Sequence, residues 1–335
     1  MKTTEVRIAA LASGEGSVRE SKSCCFAGRT HVVTAALLLL CFRGCSQHRD
    51  VEDTAPSPGH DREKMLMGAA PEILNPAGTT IETRILPPPG YRRPRSSSKS
   101  FEYYLRRLPL KPHGAEVLLH NGEAKPNGGV YAAVVDLPIG TRDLHQCADA
   151  VMRLRAEYLW QQKRYDEIRF NFTNGFRVDY RQWRRGRRIT VKGNETHWTR
   201  AGDPSNTLRD FRDYLEIVFT YAGSLSLSRE LEPVEVEDMK TGDVFIRGGL
   251  PGHAIIVVDM AVHTGTQSKV FLVAQSYMPA QEIHVLENPY PQSRGISPWY
   301  PLEFGDTLNT PEWVFSRDEL KRFEQERNRS HEASE

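Results

Sequence analysis

Cysteine is scarce in this chain of 335 residues: there are five, too few for a disulfide scaffold. Net charge is nearly absent as well. The chain carries 44 basic and 43 acidic residues, a balance of +1 with no bulk field to draw it to nucleic acid. No apolar run reaches the roughly 20 residues that a membrane-spanning helix needs. There is no internal repeat, and the Gly-Gly pairs at 128–129 and 248–249 lack the strand–GxGxxG–helix context of a nucleotide site. No His or Cys pair has ligand spacing with a third partner, so neither a metal nor another cofactor is expected. What is present is 39% hydrophobic residues, enough for a full core and too many for intrinsic disorder.

The placement of the cysteines says more than their number. Four of them, at 24, 25, 41 and 45, surround the run Val32–Phe42 (VVTAALLLLCF). That run is too short to span a bilayer but suits the apolar centre of a secretory signal, with Lys22 and Arg29 as its positive flank. It ends in Phe42-Arg43-Gly44-Cys45-Ser46, which resembles the lipobox of bacterial lipoproteins. Gly44 fits that pattern, whereas Arg43 and Phe42 depart from it. The resemblance implies export, acylation at Cys45 and anchoring by lipid at the outer membrane or periplasmic face. Residues 1–20 are long for such a signal, so the start is expected downstream of Met1. Residues 46–78 then read as a flexible tether rich in Pro, Asp, Glu, Ser and Gly, and 326–335 as a frayed polar tail.

A single globular domain is expected over 79–325. Thr80–Leu86 alternates like a strand, and Phe101–Leu108 places Phe101, Tyr104, Leu105 and Leu108 on one helical face. Glu116–His120 and Val130–Leu137 read as strands around a turn-rich NGEAKPNGG. A long helix follows, with Asp143 as N-cap and Gln146 three residues on, and with Cys147, Val151, Leu154 and Tyr158 as its apolar stripe. Phe170–Phe172 and Arg188–Lys192 are short strand candidates. Leu208–Tyr221 is a second amphipathic helix. Asp243–Ile246, His253–Asp259, Lys269–Ala274 and Glu282–Leu286 read as strands, and Ser316–Arg322 as helical. Helices first and then a run of strands make the fold class α+β.

Cys147, the fifth cysteine, stands alone in this domain. At a helix mouth the unpaired backbone N–H groups favour a thiolate, the nucleophilic form of cysteine. A thiol nucleophile also needs an imidazole in reach. Thr241–Asp259 (TGDVFIRGGLPGHAIIVVD) supplies one, because its Gly/Pro-rich loop delivers Gly252-His253 directly onto a strand, a rigid seat that faces a loop cleft. Gln275, at the end of the neighbouring strand, has an amide oxygen for the imidazole N–H. Asp259 is the alternative third residue. Gln146 or the backbone N–H of Cys147 would face the oxyanion. Against this stands the apolar stripe, in which a buried cysteine is an ordinary core residue.

Gln146-Cys147, Gly242-Asp243 and Gly252-His253 resemble the papain-like hydrolases of bacterial envelopes, the NlpC/P60 and CHAP groups. This resemblance implies a papain-like core, a helix packed on an antiparallel sheet with additional N-terminal strands here. It implies a cysteine amidase or peptidase that acts on a peptidoglycan-type amide. CHAP domains often carry Gly-Gln-Cys where this chain has His145-Gln146-Cys147, and the long separation of Cys147 from His253 requires an insertion. A longer resemblance rests on Tyr104–Lys111 (YLRRLPLK), Gln146–Tyr158 (QCADAVMRLRAEY), Asn171–Phe176 (NFTNGF) and Ala274–Gln281 (AQSYMPAQ). These stretches are similar to an uncharacterised bacterial lipoprotein family, domain of unknown function 4846, which implies an envelope location and no established activity.

Two functions from different classes follow. One is the thiol hydrolase, with an envelope peptide or glycan as substrate. The other is a non-catalytic envelope lipoprotein that binds glycan or a protein partner, with Cys147 in the core. In both the partners are the envelope substrate and the membrane, not nucleic acid. The basic run Arg181–Arg188 (RQWRRGRR) reads as a solvated turn, with anionic glycan or lipid headgroups as its alternative partner. Asn174, Trp183, Trp198, Tyr277 and Trp299 are candidates for lining a binding groove.

Overall fold

The computed structural model describes residues 73–290 and 297–324. The signal and lipobox region with Cys45, nearly all of the tether (46–72) and the tail lie outside the described residues.

The N-terminal part is assembled from short elements: helix α1 (Ile81–Arg84), strand β1 (Tyr91–Arg92), helix α2 (Phe101–Arg106) and strand β2 (Tyr131–Val134). The long helix α3 (Cys147–Gln161) follows. Two small hairpins come next, β3 (Arg169–Asn171) with β4 (Arg177–Asp179), and β5 (Arg187–Lys192) with β6 (Glu195–Arg200); helix α4 (Tyr180–Arg184) lies between them. Helices α5 (Leu208–Tyr221) and α6 (Ser224–Glu230) lead into the sheet strands β7 (Leu231–Pro233), β8 (Val244–Arg247), β9 (His253–His263), β10 (Lys269–Gln275) and β11 (His284–Leu286). The remaining strands are β12 (Tyr300–Pro301), β13 (Thr307–Asn309), β14 (Val314–Ser316) and β15 (Leu320–Phe323).

The main sheet runs β2-β11-β10-β9-β8-β15-β7, with β1 added to β9 and β12 to β10. Every pairing in it is antiparallel. The fold is therefore α+β, as the order of elements indicates. The unbroken apolar run in β9 has a simple cause: both faces of the sheet are covered. Ala254, Ile256 and Val258 pack in the core under α3, with Val151, Leu154 and Tyr158. Ile255 and Val257 point the other way, into a second core with Phe245, Phe271, Tyr300 and Phe315. Each fully buried aliphatic side chain there contributes roughly 1.5–3 kcal/mol.

A bulge interrupts this alternation. Leu272 pairs with Asp259 but Val273 pairs with Val257, so Val258 is the extra residue. The step re-aims Asp259. Its Oδ2 accepts from Arg93 Nε and its Oδ1 from Arg106 Nε, each at 2.6 Å, and its side chain is wholly inaccessible to solvent. Asp259 thus clamps the N-terminal segment onto β9 and makes no bond to His253, which removes it as a third catalytic residue. The Gly-Asp pair at the start of β8 is structural too. Gly242 has φ +99°, and a Cβ there would lie 2.8 Å from the ring of Phe101, so only glycine fits. Asp243 receives both Arg322 Nε (2.6 Å) and Arg322 Nη2 (2.7 Å).

Several local expectations need correction. Thr80–Leu86 is not a strand: Thr80 caps a single helical turn through Thr83 N, and Ile81 and Ile85 are buried four residues apart, at helical spacing. Glu116–His120 makes only isolated bridges, at Leu118 and Leu119. Ser316–Arg322 is a short turn and then strand β15, in which Leu320 and Arg322 point inward. The inward arginine, paired with Asp243, hides the strand's alternation from a polarity pattern. Arg181–Arg188 is no solvated turn. It forms the end of α4 and the start of β5, with Arg184 over the ring of Tyr165 (4.1 Å) and Arg188 over Trp183 (4.2 Å).

Replacing Asp259 by alanine strands two guanidiniums. We expect Asp259→Ala to lower stability by about 3–5 kcal/mol in urea unfolding; a loss below about 1 kcal/mol would contradict the clamp.

Candidate functional site

Antiparallel pairing puts the start of β9 and the end of β10 at the same edge of the sheet. His253 and Gln275 meet there, with His253 Nε2 2.8 Å from Gln275 Oε1. Gln275, expected to meet the imidazole, is thus hydrogen-bonded to the ring. Tyr277, Trp313 and Phe315 pack round the imidazole at centroid distances of 4.8, 5.2 and 5.9 Å. These aromatics exclude water, and burial pushes His253 down to about 4, with Gln275 opposing and the Lys125 cation adding to the effect. The ring is neutral at physiological pH.

Cys147 is the first residue of α3, and α3 packs on β9. The N-cap is Gln146, not Asp143: the segment before it is turn-like, and Asp149 Oδ2 accepts from Gln146 N at 3.0 Å. Asp143 instead ties the mouth together. Its Oδ1 accepts from Gln146 Nε2 (3.1 Å) and from Ala280 N (2.7 Å), while Ser276 Oγ donates to the carbonyl of His145 (2.8 Å). The loop after β10 is thereby fastened to the segment that leads into α3. Gln146 is half-buried, and its backbone and side-chain N–H groups are both engaged at this mouth.

The sulfur of Cys147 lies against β9 one residue beyond His253, where the backbone N–H of Ala254 as well as those of Ala148 and Cys147 favour its ionised form. They are outweighed. Burial, foremost, and the nearby Asp149 carboxyl push the thiol up to about 11. This corrects the expectation of a thiol acidified by its helix end: Cys147 is 8% exposed, and desolvation exceeds the helix contribution. Tyr277 feels the same neighbourhood. Its phenol is raised by burial, by Glu312 and by Cys147. The fold therefore brings Cys147, His253, Gln275, Gln146 and Tyr277 to one end of the sheet, with Cys147 on the α3 face against Ala254 and the His253 ring packed on Trp313 and Phe315 of the other core; among the described residues no hydrogen bond joins the sulfur to the ring.

Outside that set, the groove candidates scatter. Trp183 and Trp299 are buried core residues, and Trp299 Nε1 donates to the carbonyl of Leu86. Trp198 packs on Phe176, and Asn174 holds the β5–β6 turn through Asn194 O and Thr196 Oγ1.

Residues that no pattern singled out complete the arrangement. Gln275 Nε2 donates to Glu312 Oε2 at 2.7 Å, and Glu312 Oε1 accepts from Lys125 Nζ at 2.8 Å. Lys125 Nζ also reaches Gln281 Oε1 at 2.9 Å and sits 5.3 Å above the ring of Tyr277. His284 lies 3.4 Å from Gln275 Nε2. Lys125 belongs to the turn-rich segment before β2, and Glu312 to the β13–β14 connection. Neither lies in a periodic stretch, so sequence held no signal for them.

Burial pushes His145 to about 3, His253 to about 4 and His284 to about 3. A histidine held neutral in the native state takes up a proton on unfolding. Its stabilising contribution is complete above its ordinary value of 6.5 and is lost as pH falls towards the native value. The histidine share of the stability therefore falls between pH 6.5 and 4, against an opposite contribution from the raised carboxyls of Glu230 and Asp149, so it is read as a difference between wild type and a single-histidine variant. In His284→Asn the pH slope should be shallower by about one proton; an unchanged slope would show that His284 is not held neutral.

A family model described as Domain of unknown function (4846) matches residues 81–322. No curated protein and no solved structure matches the chain.

Proposed function

The chain belongs to the family of domain of unknown function 4846, and we propose that it is a thiol amidase or peptidase with a papain-like core, in which Cys147 is the nucleophile. The reading rests on one observation: His253, one residue from the backbone N–H that meets the Cys147 sulfur, has its Nε2 bound to Gln275 Oε1. With the proton on Nε2, the Nδ1 lone pair is the basic atom of the ring.

The thiol and imidazole are both neutral at rest, so proton transfer accompanies attack. Cys147 Sγ bonds to the carbonyl carbon of the scissile amide as its proton passes to His253 Nδ1. The carbonyl electrons collect on oxygen, which accepts from the backbone N–H of Cys147 or from the Gln146 amide. Gln275 Oε1, accepting from Nε2–H, stabilises the imidazolium. The imidazolium then protonates the leaving nitrogen as the C–N bond breaks, which leaves a thioester. Water, giving a proton to Nδ1, attacks that thioester, and the sulfur leaves and regains its proton. The envelope resemblance makes a peptidoglycan stem-peptide amide the substrate, and lipid at Cys45 the anchor that holds the enzyme at the outer membrane or periplasmic face.

The low exposure of Cys147 favours the second reading, a non-catalytic envelope lipoprotein that binds glycan or a protein partner. One experiment separates them. Muropeptides are incubated with the full chain and analysed by mass spectrometry for a split amide. Wild type is expected to cleave, and Cys147→Ala and His253→Ala to lose about a thousandfold or more. Cleavage that persists in Cys147→Ala would overturn the hydrolase, and binding without cleavage by all forms would favour the second reading.

A further inference from the structure

We propose that Glu312, held by Lys125, is a positioning residue: its carboxylate sets which way round the Gln275 amide sits, and that amide sets which nitrogen of His253 carries the proton. The inference rests on the hydrolase reading only in giving the tautomer a use; the tautomer itself is measured without substrate.

An amide side chain has two orientations of nearly equal shape, and only its neighbours choose between them. Gln275 has three. On one side is His253 Nε2, which can donate or accept. On the other are Glu312 Oε2 at 2.7 Å and His284 Nε2 at 3.4 Å. The Glu312 carboxylate can only accept. His284 has the same restriction: its Nδ1 lies 2.9 Å from the carbonyl oxygen of Glu282, which only accepts, so Nδ1 carries the hydrogen and Nε2 presents a lone pair. The NH2 of Gln275 must therefore face Glu312 and His284, and its oxygen must face His253. An oxygen in that place obliges His253 Nε2 to be the donor and leaves Nδ1 free to accept. Turned over, the amide would set oxygen against acceptors at two contacts and would present NH2 to His253, which moves the ring proton to Nδ1 and removes the base.

Of the two acceptors Glu312 is the stronger. Its bond is shorter and charge-assisted, whereas the contact with His284 is long and neutral. Lys125 makes this charge tolerable in a largely buried place, with side-chain exposures of 5% for Lys125 and 14% for Glu312. The two carboxylate oxygens divide the work: Oε1 takes Lys125 and Oε2 takes Gln275. The pair carries no net charge, although its Lys125 end adds to the lowering of the imidazole.

The test uses the full chain labelled with 15N-histidine, at neutral pH. Wild type is expected to show His253 as one tautomer, protonated on Nε2. The paired variant Lys125→Met/Glu312→Leu removes both charges at similar volume and strands neither. In it, both tautomers are expected, with the Nδ1–H form rising to a detectable share that stays below half, because His284 still favours the present amide orientation. The single variant Glu312→Gln keeps the shape but can offer Gln275 either oxygen or NH2, and it should show a smaller mixed population, which keeps the test open if the pair fails to fold. The alkylation rate of Cys147 should fall by the same factor as the Nε2–H population, a proportionality that a merely structural pair would not produce. A single Nε2–H tautomer in both variants would overturn the proposal. A mixed tautomer with unchanged alkylation would uphold the positioning role and remove the hydrolase reading instead.

Discussion

The bond between His253 Nε2 and Gln275 Oε1 ties the candidate chemistry to the fold. It joins the first residue of β9 to the last of β10, so it exists only because the two longest strands of the sheet pair antiparallel in this register. The same strands carry the helix-side core on which α3 lies, and that packing sets Cys147 against Ala254. The Asp259 bulge and the Asp243–Arg322 pair hold the edges of this framework without touching the ring. A change at the far end of β9 would thus reach the site through register.

Burial gives the site its chemical character. It drives the thiol up and the imidazole down, so the pair rests uncharged. An uncharged thiol and imidazole cost less to desolvate than a thiolate and an imidazolium. The helix end still matters, because its N–H groups oppose the rise, but it is the smaller effect. Near the imidazole the Lys125–Glu312 ion pair acts on Gln275 through a directed hydrogen bond, while the Lys125 cation adds to the lowering of His253.

Much of the arrangement was legible in sequence, for local reasons. Helix α5 runs from Leu208 to Tyr221 as its periodicity indicates, and the stripe Cys147, Val151, Leu154, Tyr158 is buried throughout. Gly252-His253 at a strand start and Gln275 at a strand end are features of neighbouring sequence, so the meeting of those two side chains could be anticipated once the strands were paired. What failed depended on distant partners. Helix position alone puts the Cys147 thiol low, whereas desolvation by β9 and the Tyr277 loop puts it high. Arg322 conceals a strand because its partner Asp243 lies far back in the chain. Thr80–Leu86 has an alternating pattern, but the Thr80–Thr83 side-chain cap overrides it. Lys125 and Glu312 come from loops and gain meaning only when Gln275 lies between Glu312 and His253.

The proposed pairing of thiol and imidazole is tested most directly by the pH dependence of Cys147 alkylation with iodoacetamide, followed on the peptide that carries it, in wild type and His253→Ala. The account predicts that at pH 7 wild type reacts at least about tenfold faster, because Nδ1 takes the thiol proton, and that the two curves meet near pH 11, where the thiol ionises unaided. Superimposable curves across the whole range would contradict it.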